Sequence, residues 1–354
     1  MPPSRSAGRK LRRAIVALVF GLVGCTSPEV TGPSRDLRAS FSAISIVPST
    51  TGFDMVDIGL GAYPEAMNPS GTVVGVSAAP DGEYRGFLWR DGRMIDLGSL
   101  GGGWSQATGI SPSGDVVGES TTAQHENHAF IWRDGTMRDL GTLGAGSEIG
   151  NWSSAAGINA SGSVVGQSTT TDNEVRAVLW RDGRAVDLGT LGGSSSLATA
   201  VDATGEIVGA SATRDSYMAF LWKKGTMRGL GSLGGASVAT GVANGYVAGT
   251  SIMTNGGIHA FLWHDGVMRD LGTLGGANSF AAGVNASGWV VGTSEIQLPE
   301  YSNRAFVWRD GHMIDLGTLP GGFGSEAAAI SPSGRIVGRS YAADGIHAVI
   351  WIPR

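Results

Sequence analysis

A chain of 354 residues with 58 glycines, only 16% charged residues and a formal net charge of -5 is too glycine-rich for a helical protein and too hydrophobic, at 42%, for a disordered one. Its length allows one large domain or two ordinary ones. Its acidity argues against a nucleic-acid partner, which calls for a basic face to displace counterions from phosphate.

The N-terminus is set apart from the rest. Arg5, Arg9, Lys10, Arg12 and Arg13 precede an apolar run over residues 14–24. That run is too short to span a bilayer as a mature helix, and residues 1–24 read as an export signal. The run ends in Leu22-Val23-Gly24-Cys25, which resembles the lipobox of bacterial lipoproteins. The resemblance implies cleavage before Cys25 and acylation of that residue, with a membrane as partner and outer-membrane or cell-surface placement compatible with Thr26. Cys25 is the only cysteine, so no disulfide accounts for it and anchoring is its most economical use. Loss of residues 1–24 removes five positive charges and leaves a body of net charge -10. Residues 25–52 are rich in Ser, Thr, Pro and Gly without sustained periodicity, as in a flexible tether, and the folded part is expected over residues 53–354.

Seven tryptophans, Trp89, Trp132, Trp180, Trp222, Trp263, Trp308 and Trp351, then recur at spacings of 43, 48, 42, 41, 45 and 43 residues. Fixed periods in this range indicate a stacked or circular array. Each unit carries the same four strand-length pieces, in the second unit SQATGIS, DVVGES, HAFIWR and TMRDLGTLG. A Pro-Ser-Gly or Ala-Ser-Gly turn joins the first two pieces, and Asp134-Gly135, suited to a type I′ hairpin, joins the last two. These turns barely change, whereas the loop after VVGxS and the Gly-Gly connection to the next unit vary. Because strands alternate in direction, both variable connections fall on one face. The expectation is an all-β, seven-bladed β-propeller with four antiparallel strands per blade, forming one monomeric domain. The chain opens with a fourth strand, Met55 to Ile58, and ends with a third, Ala348 to Trp351, so the N-terminal strand is expected to close the last blade.

The two-residue turn also predicts side-chain partners. It puts Phe130 opposite Asp139 and makes His128 a same-face diagonal neighbour of that carboxylate. Arg85 with Asp96, Arg176 with Asp187, His259 with Asp270 and Arg304 with Asp315 stand in the same relation. Where the basic position holds Met218, the acidic one holds Gly229. Ring closure would supply His347 with Asp57. These residues read as structural ion pairs and not as a belt for an acidic ligand.

With His128-Ala129-Phe130 and His259-Ala260-Phe261 in place, and with FLW-RDG, DLGTLGG, GIN-x-SG and VVG recurring in order, the chain resembles the HAF family of extracellular repeats over roughly residues 55 to 352. The unit is also similar to a WD-repeat blade in strand order and third-strand tryptophan, although the Gly-His and Trp-Asp dipeptides are absent. Val349 stands where five of the other units have phenylalanine, and Val247-Ala248-Gly249 replaces the fifth VVG. The family resemblance implies an exported repeat domain and no defined activity.

Residues that recur in every blade serve what every blade needs, so function is sought where the repeat breaks. Aromatic residues interrupt the glycine-rich connection at Tyr63, Trp104, Trp152, Phe280 and Phe323, where other units hold Leu197 or Val238. The variable loops add Tyr84, Tyr217 and Tyr301 and acids such as Asp81, Glu126 and Asp172. Exposed aromatics beside acids and amides suit a glycan or a protein partner. The competing reading has the aromatics plugging the channel mouth or filling gaps between blades. No Gly-x-Ser-x-Gly elbow or His-Glu-x-x-His helix is present, and three of the six histidines belong to the repeat, so no catalytic motif is recognised. His125, Glu126 and His128 lack a third fixed ligand, and neither a metal nor another cofactor is assigned. The expected role is that of a non-enzymatic, envelope-anchored binding module acting through the variable face. A scaffold for an envelope complex is one alternative. A carbohydrate-active enzyme is the other, if two acids and a basic residue converge at the channel mouth.

Overall fold

The computed structural model describes residues 45–47, 51–144, 150–297 and 303–354, and these form a seven-bladed β-propeller. Each blade is an antiparallel four-stranded sheet, and no helix occurs among the described residues. Blades 1 to 6 comprise residues 62–96, 101–139, 153–187, 196–231, 234–270 and 275–315. Blade 7 takes three strands from residues 324–353 and its fourth from Phe53–Leu60, which pairs antiparallel with Gly345–Pro353. The first strand of every blade touches the first strands of both neighbours, so these strands surround the axis. The fourth strands of blades 1, 2, 3, 5 and 6 are only four residues long, which leaves little free edge to recruit another chain.

The repeat's recurring residues explain the sheet. Asp134 (φ 51°) and Gly135 (φ 81°) both take positive φ, as a type I′ turn requires, and Phe130 stands opposite Asp139. Each first strand carries a bulge, as between Ala107 and Gly109. There the first-strand backbone presses against the VVG glycine. A Cβ on Gly118 would meet the Gln106 carbonyl at 1.9 Å, and one on Gly292 would meet the Phe280 carbonyl at 1.9 Å.

The apolar cores lie between sheets. Val208 and Ala219 of blade 4 pack with Ala239, Val247, Phe261 and Trp263 of blade 5, and the other junctions repeat this arrangement. Trp351 is fully buried, and its Nε1 donates to the Leu316 carbonyl at 3.0 Å.

A serine on the first strand binds each of blades 2 to 7 to the blade before it. Ser279 Oγ accepts the Ala260 N–H at 2.9 Å and donates to the Gly272 carbonyl at 2.6 Å. Ser105, Ser153, Ser196, Ser237 and Ser325 repeat both bonds. Only blade 1, next to the closing strand, has Ala62 at this place.

One element lies inside the expected tether. Ser45–Val47 forms a fifth strand on the closing blade, with Ser45 opposite Asp57 and Val47 opposite Met55. The closing strand offers a backbone edge, and three residues suffice to pair with it.

Candidate functional site

The basic and acidic residues of the third and fourth strands meet in six blades. His128 Nδ1 lies 2.7 Å from Asp139, His259 Nδ1 2.8 Å from Asp270 and His347 Nδ1 2.8 Å from Asp57. Arg85 lies 3.5 Å from Asp96, Arg176 3.7 Å from Asp187 and Arg304 3.8 Å from Asp315. Each aspartate also accepts the N–H of the glycine two residues on, as Asp270 does from Gly272 at 2.8 Å, so the carboxylate shapes the turn as well as balancing charge. In blade 4 the Met218 sulfur stands 2.6 Å from where a Cβ on Gly229 would lie. The methionine therefore fills the space that the carboxylate takes elsewhere.

Of the loop residues His125, Glu126 and His128, only the last two come together. His125 sits at an exposed turn with φ 65°, while the His128 ring lies between Glu126 and Asp139. Cys25, the signal over residues 1–24 and Tyr301 lie outside the described residues.

The candidate ligand-binding aromatics occupy distinct positions. Trp104 and Trp152 immediately precede the bridging serine, Phe323 comes two residues before it, and Tyr63 and Phe280 are the second residues of the repeat's inner segment. Tyr84 and Tyr217 open third strands. Phe323 is 63% exposed and Tyr84 44%, whereas the Tyr217 hydroxyl is engaged with Ser195 Oγ at 2.6 Å.

The innermost layer divides the ring into two arcs. Strand alternation places the residue after each bridging serine on the opposite sheet face, beside the variable residue of VVGxS on the second strand. In blades 7, 2 and 3 these pairs are Glu326 with Arg339, Gln106 with Glu119 and Ser154 with Gln167. In blades 4, 5 and 6 they are Leu197 with Ala210, Val238 with Thr250 and Phe280 with Thr293. In blade 1 the pair is Tyr63 with Val76, and Glu65 lies at the bulge beyond it.

Chemistry concentrates at the junction of blades 7 and 1. Arg339 Nε lies 3.0 Å from Glu326 Oε2, and the Arg339 guanidinium stands 5.5 Å from the centre of the Tyr63 ring. Phe323 and Tyr341 bring their rings to 6.2 Å at the variable face, where the Phe323 N–H donates to the Tyr341 carbonyl at 2.9 Å. Burial pushes the Tyr341 phenol well above its ordinary pKa, opposed by Arg339 and reinforced by Glu326, which its hydroxyl faces. Glu65 occupies the bulge of blade 1. At that position in blades 2, 4 and 5, Thr108, Thr199 and Thr240 donate to the Ala155, Ala239 and Ala281 carbonyls of the next blade. Burial raises the Glu65 pKa; Arg339 opposes this and Glu326 adds to it. Burial likewise raises Glu119, against the neighbouring Ser154 hydroxyl.

Glu65, Glu326, Arg339 and Tyr341 are not among the sequence candidates. Arg339 occupies the variable slot inside VVGxS, which reads Val76, Glu119, Gln167, Ala210, Thr250, Thr293 and Arg339 around the ring. Variation within an otherwise constant motif was the available signal.

No protein-family model matches the chain, and no curated protein matches it in sequence. Solved structures do match in fold. A puromycin-hydrolyzing peptidase from Mycobacterium tuberculosis aligns with a TM-score of 0.54 at 14% identity, over 89% of this chain and 54% of that one. An acylaminoacyl peptidase aligns at 0.52 and 13% identity, over 82% of this chain and 51% of that one. The β-propeller domain of the Trilobed protease from Pyrococcus furiosus, described as having an open velcro topology, aligns at 0.50 and 12% identity, over 82% and 93%. This chain thus spans about half the length of the two peptidases, and likeness at these identities is one of propeller fold alone.

Proposed function

We propose that the protein is an exported lipoprotein of the HAF repeat kind, held at the bacterial envelope through acylated Cys25, whose monomeric propeller binds a glycan through its variable face. The observation that carries this reading is the one-sided inner layer. Blades 7, 2 and 3 carry the polar pairs Glu326 with Arg339, Gln106 with Glu119 and Ser154 with Gln167, blades 4, 5 and 6 carry Leu197, Val238 and Phe280 on their first strands, and the exposed Phe323 ring marks the rim. Sugars present the same division, with hydroxyls at the ring edge and C–H groups on its faces, and fixed donors, acceptors and aromatic planes match them. The acidic body and the lipobox support display at a membrane surface without nucleic-acid binding.

A second reading, a carbohydrate-active enzyme, draws on the meeting of Glu65, Glu326 and Arg339. Glycan-panel binding of the full-length Cys25→Ser protein, with reducing-end release measured in parallel, separates the two. The expected result is binding without release, weakened about tenfold or more by Phe323→Ala in a variant with unchanged circular dichroism; tenfold corresponds to about 1.4 kcal/mol. Release of reducing ends that disappears in Glu326→Gln would establish the enzyme reading. Failure to bind any glycan would end both and make envelope cross-linking to a protein partner the next step.

A further inference from the structure

The face that carries the constant turns is not uniform around the ring. The residue between the first turn's glycine and the VVG segment runs Thr72, Asp115, Ser163, Glu206, Tyr246, Trp289 and Arg335. In blades 2 and 4 it is an acid, and Asp115 and Glu206 are paired with Arg133 and Lys223 of the third strand. In blades 5 and 6 an aromatic ring replaces the acid. Tyr246 stacks on His264 at 4.1 Å, and the Arg309 guanidinium stands 4.8 Å from the centre of the Trp289 ring. These side chains also reach the next blade. The Tyr246 ring stands 3.1 Å from where a Cβ on Gly288 would lie, the Trp289 ring 2.8 Å from one on Gly334, and Arg335 3.3 Å from one on Gly71. A Cβ on Gly114, Gly162 or Gly205 would meet nothing within 4 Å. A strip of planar groups therefore runs unbroken from blade 5 to blade 1, and Val267, 67% exposed and opposite His264, extends it outward. Arg309 and Arg335 have no carboxylate partner among the described residues. Asp265, 3.4 Å from His264, and Asp310 belong to turns whose aspartate recurs as Asp91, Asp134 and Asp182, so they do not set the strip apart.

We propose that this strip is a docking surface for the anionic headgroups of the membrane that holds the acyl chains on Cys25, an inference that rests on the lipoprotein reading above. Its chemistry selects that partner: guanidinium groups without a carboxylate match phosphate-bearing headgroups, and tryptophan and tyrosine settle at headgroup depth. The body's net charge of -10 repels an anionic surface elsewhere, so the strip also decides which face approaches. The chain enters the ring beside it. Ser45 pairs on the closing blade, and Arg309 stands 5.3 Å from the centre of the Phe53 ring, where the closing strand begins. Residues 26–44 reach at most about 70 Å, so the anchor keeps the strip at high effective concentration over the lipid and a few contacts suffice. Docked in this way, the ring turns its variable face away from the membrane.

The test uses the full chain, acylated in a bacterial host so that the Cys25 thiol is consumed, with one reporter cysteine at a time. Ala286→Cys lies in the exposed turn before Trp289, and Ala123→Cys lies on the variable face. Each protein is reconstituted on phosphatidylcholine vesicles with or without phosphatidylglycerol, and its reaction with a membrane-impermeant maleimide is timed. With phosphatidylglycerol present, Ala286→Cys should react about tenfold more slowly than in detergent, while Ala123→Cys keeps its rate. Arg309→Gln combined with Arg335→Gln should abolish that protection. Should this variant fail to fold, Val267→Glu, at an exposed position, should weaken the protection instead. Equal rates for the two cysteines on anionic vesicles, protection that survives these substitutions, or protection as strong without phosphatidylglycerol would overturn the docking surface and leave the lipoprotein reading standing. Mass spectrometry that finds Cys25 unacylated would remove both.

Discussion

At the scale of single residues, the aspartate on the fourth strand has two duties, and blade 4 shows what happens when both are dropped. Asp270 holds His259 through its carboxylate and the Gly272 N–H through the same group, whereas Met218 fills the site left by Gly229. Replacing His259 by Met alone should cost under about 1 kcal/mol, since both partners are partly exposed. Replacing Asp270 by Gly alone should cost about 1 to 2 kcal/mol, because the turn loses its bond as well. The double variant His259→Met, Asp270→Gly should be less destabilised than the two costs added, by about 0.5 kcal/mol or more in urea unfolding; strict additivity would show that the pair is not coupled. These partners were legible because a two-residue turn fixes register, and register fixes which side chains share a face. The junction cluster was not, because the bulge shifts the phase of the first strand by one residue just ahead of Glu65's neighbours.

At the scale of elements, the stitching between blades depends on a small side chain with two hydrogen-bonding roles. Ser279→Ala removes both and leaves the buried Ala260 N–H and the Gly272 carbonyl without the hydroxyl that served them. Thermal unfolding should register a loss of about 1 to 3 kcal/mol. A cost near zero would mean that the sheets are held by apolar packing alone. Four strands per unit and the alternation of constant and variable ends were readable from turn chemistry. The bridging serines were not, because a serine next to a glycine-rich connection looks like loop composition. The strand Ser45–Val47 escaped as well: three residues carry no period, and it pairs only because the closing strand offers an edge.

For the whole molecule, the decisive contact joins the two ends of the chain. His347 stands between Asp57 and Asp344, 2.8 Å from the first through Nδ1 and 3.1 Å from the second through Nε2, so both carboxylates are served only by the doubly protonated ring. Burial works against protonation, but the bonds and charges of Asp344 and Asp57 outweigh it and raise the His347 pKa. A raised folded-state pKa makes protonation favour the closed ring. That contribution is complete below the unfolded histidine value of about 6.5 and vanishes as pH rises through the folded value. Melting temperatures of wild type and His347→Gln should therefore differ most in mild acid and converge at alkaline pH; a constant difference would exclude His347 as the source. Arg354 adds a second tie, 2.6 Å from Asp54 and 300 residues away along the chain.

That separation makes closure of the ring depend on a strand synthesised long after its partner. During synthesis the opening strand must wait for the final ten residues, and until they arrive Val56 and Ile58 lack the cover of Ala348 and Ile350, while Phe87 and Trp89 face an unfinished neighbour. A chain that stops short of Gly345–Pro353 remains an open arc with uncovered apolar faces at both edges, whereas in the closed ring that strand covers Phe53–Leu60.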